Sequence, residues 1–205
     1  MTPVSGDRRE RERHEMREAI LDAAMALFVD ESFDHTTMRR IAQAIEYTPG
    51  ALYSYFKDKD AILYALHRRG FDKLFAKFSP LLAVADPVER LFRMGELYLE
   101  FAFENPKLYD LMFISRATGK SIEAKDQWDQ GEQAHNALRA VVASCMDAGR
   151  MRRGDVEAIS FAIWSTVHGM ASLLLCNRCV MIPEEERPAL IQRALRFLND
   201  SFTAI

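Results

Sequence analysis

Alternating apolar and polar residues, the signature of a half-buried β-strand, are missing from this chain from end to end. Apolar residues recur instead at helical spacing, so the expected fold class is all-α. Long apolar runs are absent too: no uninterrupted stretch approaches the ~20 residues that cross a bilayer, and no membrane partner is expected. The opening residues, MTPVSGDRRERERHEMR, have no apolar centre of the kind a secretory signal needs, so a cytoplasmic location is expected. Cysteine is scarce. Three residues, Cys145, Cys176 and Cys179, make an odd set that excludes a disulfide framework. Cys176 and Cys179 have CxxC spacing, but a metal or redox site wants a second ligand pair or a strand-helix setting. Packing at a helix end is the plainer reading. Also lacking are a Gly-rich phosphate loop, HExxH and GxSxG. His35, His67, His135 and His168 stand apart from carboxylates at productive spacing. No catalysis, metal or cofactor is expected.

A strong positive charge is missing as well. The chain has 27 basic and 30 acidic residues, a net charge of −3. Local charge differs: residues 36–69 hold six Lys or Arg (Arg39, Arg40, Lys57, Lys59, Arg68, Arg69) against three acids (Glu46, Asp58, Asp60). Affinity for phosphates depends on charge where the phosphates lie, so an acidic whole is compatible with DNA binding.

What is present is a dense set of helix starts. Residues 1–13 form a polar arm in which Arg8, Arg9, Arg11 and Arg13 alternate with Asp7, Glu10 and Glu12. It reads as a solvated tail or charged helix extension, or else as an arm for a minor groove. A first helix, about Glu15 to Asp30, aligns Met16, Ile20, Ala24, Leu27 and Phe28. Thr36 and Thr37 offer an N-cap, and Met38, Ile41, Ala42 and Ile45 follow on one stripe. After a turn at Glu46-Tyr47, Thr48 caps and Pro49 opens the next helix. Gly50 and Ala51 lie at its leading end; Leu52 and Phe56 face inward, leaving Tyr53, Ser54 and Tyr55 to face out. This is a helix-turn-helix, which places one helix in the major groove of DNA. A fourth helix begins at Lys59 and is long enough to continue into a second domain. Asp86-Pro87 and Asn105-Pro106 start two more helices, Asp155 another, and Pro183 and Pro188 punctuate the way to the last. Residues 115–125 read as loop, followed by a helix from about Asp126 to Gly149. The total is about nine helices.

Residues 16–66 resemble the DNA-binding domain of tetracycline-repressor-type (TetR family) transcriptional regulators. The resemblance is carried by Ile20, Ala23, Phe28, Phe33, Thr36, Thr37, Ile41, Ala42, Tyr47-Thr48-Pro49-Gly50, Leu52-Tyr53, Tyr55-Phe56 and Lys59. It implies that Thr37, Tyr53, Tyr55 and Lys59 hold phosphates. Arg39, Thr48, Pro49, Gly50, Ala51 and Ser54 match or border positions that approach bases. Two positions depart from the pattern: Glu46 and Ser32 stand where the family commonly has glycine, so Glu46 is expected to take a left-handed conformation. Trp164-x3-His168-Gly169, with Asn105 to Phe113 before it, resembles a subset of the family.

The helix from 155 to 176 is apolar nearly all round and has to be covered on more than one side. Its small-residue face (Ala162, Thr166, Gly169, Leu173, Cys176), with Ala194, Phe197 and Ser201, is expected to form a two-fold dimer interface. The other face is expected to turn Phe161, Trp164, His168 and Leu175 inward. With Phe92, Tyr98, Phe101, Met112, Phe113, Trp128 and Leu138 these would line either a plain core or a ligand pocket. The expectation is therefore an N-terminal three-helix helix-turn-helix domain (14–60) and a larger helical ligand-binding and dimerisation domain (61–205). Its partners would be a double-stranded DNA operator, a second copy of the chain and a hydrophobic small-molecule effector. A helical small-molecule-binding or redox-sensing protein, and an activator of the same fold, are the alternatives.

Overall fold

The structure is a computed structural model that describes residues 4–116, 118–120 and 129–203. The described residues are helical and contain no strand. The helices are α1 (Val4–Glu31), α2 (Met38–Ala44), α3 (Pro49–Leu52), α4 (Lys59–Phe78), α5 (Pro87–Glu104), α6 (Pro106–Tyr109), α7 (Asp129–Asp147), α8 (Val156–Leu175) and α9 (Arg187–Thr203). A π-helical turn, Asp110–Ile114, continues α6.

The starts behave as their side chains dictate. Thr37 caps α2 and Thr48 caps α3, each hydroxyl accepting the backbone N–H three residues on. Asp86 and Asp155 each accept two N–H groups at the starts of α5 and α8. Of the readings of the polar arm, the structure has the charged helix extension: α1 begins at Val4, because its alternating charges suit an exposed helix and Arg8 pairs with Glu12 one turn on. One expectation needs correction. Residues 116 and 118–120, read as loop, are helical; the remainder of that loop, 121–125, and Trp128 lie outside the described residues.

The chain divides into two compact units, Met1–Gly70 with Lys107–Gln127, and Phe71–Pro106 with Trp128–Ile205. The first has a core of Ile20, Ala24, Phe28, Ile41, Ala42, Leu52, Phe56, Ile62, Leu63 and Leu66. Each isoleucine, leucine or phenylalanine among them contributes roughly 1.5–3 kcal/mol by leaving water. Ile62, Leu63 and Leu66 explain why this unit runs past the sequence boundary at residue 60, and Leu111 of the π turn joins the same core. Met112 beside it lies against Gly70, where an added Cβ would come within 2.2 Å of the Met112 Sδ. In the second unit α5, α7, α8 and α9 pack around Leu91, Met94, Leu138, Val142, Cys145 and Ile163. By length and composition α8 could cross a membrane, yet its stripe Ser160, Ile163, Val167 and Ala171 is buried in this unit.

Candidate functional site

The helix-turn-helix is built from α2, α3 and the turn joining them. At the end of α2, Glu46 N–H donates to the Gln43 carbonyl and Tyr47 N–H to the Ala42 carbonyl (3.1 and 2.8 Å). That double bond pattern requires a left-handed residue between the two donors, and Glu46 supplies it at φ 58°. Ser32, the other position where glycine was anticipated, is also left-handed at φ 67°. The turn orients α3 so that Leu52 and Phe56 are buried while Thr48, Pro49 and Gly50 are exposed. Nothing lies within 4 Å of a Cβ built on Gly50, so the leading end of α3 is open to a close approach. Ala51 is half-buried, Tyr53 is 56% exposed, and Ser54 Oγ donates to the Ala51 carbonyl at 2.6 Å. Thr37 and Arg39 are exposed on α2. Tyr55 was expected to face out; it is half-buried and packs on the first core.

Lys59 already has partners within the protein. Its ammonium donates to the carbonyls of Phe33 and Thr36 at 2.5 and 2.9 Å and lies 4.1 Å over the Phe33 ring. It ties α4 to the turn before α2, so two of its three N–H donors are already spent within the protein. Two more of the six local cations are neutralised, Arg40 by Glu31 and Arg69 by Glu18 and Asp22. Arg39, Lys57 and Arg68 remain exposed without an ion pair among the described residues. Sequence counting could not separate these sets, because the partner acids come from α1.

Arg17 was missed altogether. Its Nη1 donates to the Tyr55 carbonyl at 2.8 Å and its guanidinium stacks 4.2 Å from the Phe56 ring centroid. A signal existed: Arg17 is three, four and seven residues before Ile20, Leu21 and Ala24, an inward position on α1.

The second unit gathers some of the expected pocket residues. Trp164 Nε1–H donates to the Tyr98 hydroxyl (3.4 Å), which is 3.3 Å from His168 Nδ1; His168 Nε2 is 3.3 Å from Ser172 Oγ. A neutral imidazole protonated on Nε2 satisfies the whole chain, with Tyr98 donating to Nδ1. Burial holds the His168 pKa below its usual value, in keeping with that neutral form. Phe101 and Leu138 are core residues, and Phe92 is half-buried. Met112 and Phe113 belong to the first unit. Phe161 does not point inward: it is 59% exposed. Of the expected interface residues, Thr166, Leu173, Cys176, Phe197 and Ser201 are exposed, while Ala162, Gly169 and Ala194 are half-buried.

Residues 20–66 match the model of the tetR family of bacterial regulatory proteins, and residues 91–198 match a tetracyclin repressor-like C-terminal domain. The chain belongs to the TetR family. It is a DNA-binding transcriptional regulator by that membership, with the helix-turn-helix as its reader. Among family members, it is 26% identical over 180 residues to the transcriptional repressor AcnR of Corynebacterium efficiens, covering 85% of this chain and 87% of that one. With the regulator HbdR of Aromatoleum sp. it shares 33% identity over 161 residues, 77% of this chain and 69% of the other. The fold matches that of the fatty acid degradation regulator FadR from Bacillus halodurans at a TM-score of 0.74 and 17% identity, covering 89% and 93% of the two chains.

Proposed function

We propose that this regulator is a homodimeric repressor that reads an operator through α3 and is released by a small hydrophobic effector. The DNA half of this reading is carried by the open leading end of α3, where Gly50 leaves the backbone accessible. Thr48, Pro49, Gly50, Ala51 and Ser54, with Arg39 of α2, approach bases; Thr37, Tyr53 and the Tyr55 hydroxyl hold phosphates. Lys59 holds α4 and the Phe33–Thr36 turn together and adds at most one donor to a phosphate. No long side chain on α3 offers a bidentate pair to a base, so methyl contacts and DNA shape carry much of the specificity.

Dimerisation is supported by the uncovered apolar face of the second unit. Phe161, Leu173 and Phe197 are 59%, 51% and 76% exposed, more large apolar surface than a lone protomer normally leaves wet. To read successive major grooves, the two α3 helices of such a dimer have to stand ~34–36 Å apart, one turn of DNA. The Tyr98–Trp164–His168 cluster, within a C-terminal domain of the Trp-x3-His-Gly subset, is the proposed effector site. Its aromatic and neutral groups suit an uncharged or weakly polar ligand. Effector binding acts through α4, which runs unbroken from Lys59 to Phe78, and weakens binding only if the ligand prefers one head spacing over another. The protein acts in the cytoplasm, where its operator is.

The deciding experiment is a gel shift on DNA upstream of its own coding sequence. Wild-type protein should give a sequence-selective shift that Ala51→Glu abolishes. A selective shift that survives Ala51→Glu would remove α3 from the interface.

A further inference from the structure

The helix-turn-helix leaves few free cations for a polyanion. Of the six basic residues between 36 and 69, Arg40 and Arg69 are ion-paired and Lys59 is held by backbone carbonyls, leaving Arg39, Lys57 and Arg68. The missing charge stands on α1. That helix continues for three turns ahead of Arg17, from Val4, and Arg9, Arg11 and Arg13 on it are exposed with no ion pair among the described residues. Arg9, Arg13 and Arg17 fall at i, i+4 and i+8 and so form one ridge. The lower end of the ridge is fixed: Arg17 is pinned to the Tyr55 carbonyl and the Phe56 ring, beside the end of the recognition segment. At ~1.5 Å per residue, Arg13 and Arg9 stand about 6 and about 12 Å further along the helix axis from that anchor. Arg8, on the opposite side, is instead neutralised by Glu12.

We propose that Arg9 and Arg13 form a second, sequence-independent DNA contact, a clamp on the phosphates that flank the major-groove half-site. It rests on the reading of α3 as the DNA reader. The partner is the B-form DNA backbone itself: arginine forks match phosphate oxygens, and each phosphate neutralised releases counterions. Glu10 lies on the same side of α1 and opposes the contact. The clamp fixes register and raises affinity without reading bases.

The test measures how binding depends on salt, using both a random-sequence duplex and DNA upstream of the coding sequence. Arg9→Gln with Arg13→Gln should lower the slope of log K against log[salt] by about 1.8, ~0.9 per phosphate. Arg9→Lys with Arg13→Lys should keep the slope, Arg8→Gln should leave it unchanged, and Glu10→Gln should tighten binding. Hydroxyl-radical footprints should lose protection only at the outer edges of the site in the Gln pair. Circular dichroism checks that the Gln pair keeps its helix. If it unfolds, an outer-edge footprint in the wild type that disappears with Arg9→Gln alone still supports the clamp, and no outer-edge protection overturns it. An unchanged slope in the Gln pair, or an equal drop in Arg8→Gln, overturns the clamp while leaving the α3 reading intact. Wild type that binds neither duplex overturns the α3 reading first.

Discussion

The two units solve opposite surface problems. The first closes its core, with Ile20, Ile41, Leu52 and Ile62 all at 1% exposure or less, and apart from Val29 and Ile114 shows solvent a largely polar, phenolic and basic surface. The second packs a core of its own but leaves Phe161, Leu173 and Phe197 in water. A surface that must meet a hydrated polyanion reversibly stays mostly polar and basic, because phosphate contacts supply much of its affinity. A surface that is covered permanently can be apolar, because burial supplies the affinity. On the proposed reading, the contrast is that between a transient DNA face and a face covered by a second copy.

The sharpest way to break that contrast is to place a charge on the wet apolar face. Phe197→Glu puts two like charges at a two-fold interface, which costs several kcal/mol, a loss of dimer affinity on the order of a thousandfold. Sedimentation should report a monomer that keeps its helical circular dichroism, since Phe197 is 76% exposed in the protomer, but that melts below the wild type and independently of concentration, the stabilisation from association being lost. A dimer that persists with unchanged affinity would show that α9 lies outside the interface.

Next in size is acid. His67 on α4 is completely buried in the first unit, and burial lowers its pKa from 6.5 to about 4. The unfolded chain takes up this proton near pH 6.5 and the folded chain only near pH 4, so stability is full above pH 6.5 and falls between the two values. The loss amounts to roughly 3 kcal/mol at ~1.36 kcal/mol per pH unit. His168 in the second unit shifts in the same direction, so both units weaken in acid. Urea titrations from pH 7.5 to 4.5 should show the slope of stability against pH reduced in His67→Phe. If the substitution lowers stability equally at every pH, His67 is not the titrating group.

A third handle tests how tightly the π turn is keyed to α4. Gly70→Ala would gain helix propensity but sets its Cβ 2.2 Å from Met112 Sδ, and overpacking of this kind costs about 1–3 kcal/mol. Combined with Met112→Ala, which opens the space, the same change should become neutral or favourable. Additive effects in the double-mutant cycle would mean that the two residues do not bear on each other.

How much of this was legible in sequence also divides between the units. The first was written in local signals: Thr37 and Thr48 caps, Pro49 at a helix start and the Met38–Ile45 stripe give short helices whose faces follow from spacing alone. What escaped was pairing at long sequence range. Lys59 reads as a free cation until Phe33 and Thr36 are seen beside it, and the inward spacing of Arg17 does not name Tyr55 as its partner. In the second unit, the apolar character of α8 announced two covered faces but not which residue belonged to each. Phe161, expected inward with Trp164 and His168, is exposed, and it stands one turn before Ser165, which is exposed as well. Spacing was the better guide.

The smallest expected effect bears on the weakest point of the reader, the turn between α2 and α3. Three helices end in the same pair of backbone bonds with a left-handed residue between the donors: α2 at Glu46 (φ 58°), α7 at Gly149 (φ 67°) and α8 at Asn177 (φ 52°). Glycine and asparagine tolerate that conformation; glutamate pays about 1 kcal/mol for it. Glu46→Gly should therefore raise stability by about 0.5 kcal/mol, the strain relief being partly offset by the greater freedom of glycine in the unfolded chain. The same change removes a carboxylate from the surface that meets phosphates, so DNA affinity should rise, and rise most at low salt. Thermal melts and salt-dependent binding separate the two contributions. Glu46→Gln keeps the strain and removes the charge, so it should tighten DNA binding without stabilising the fold. Should Glu46→Gln leave DNA binding unchanged, the turn lies too far from the phosphates to matter. The glutamate would then cost the protein only its left-handed strain.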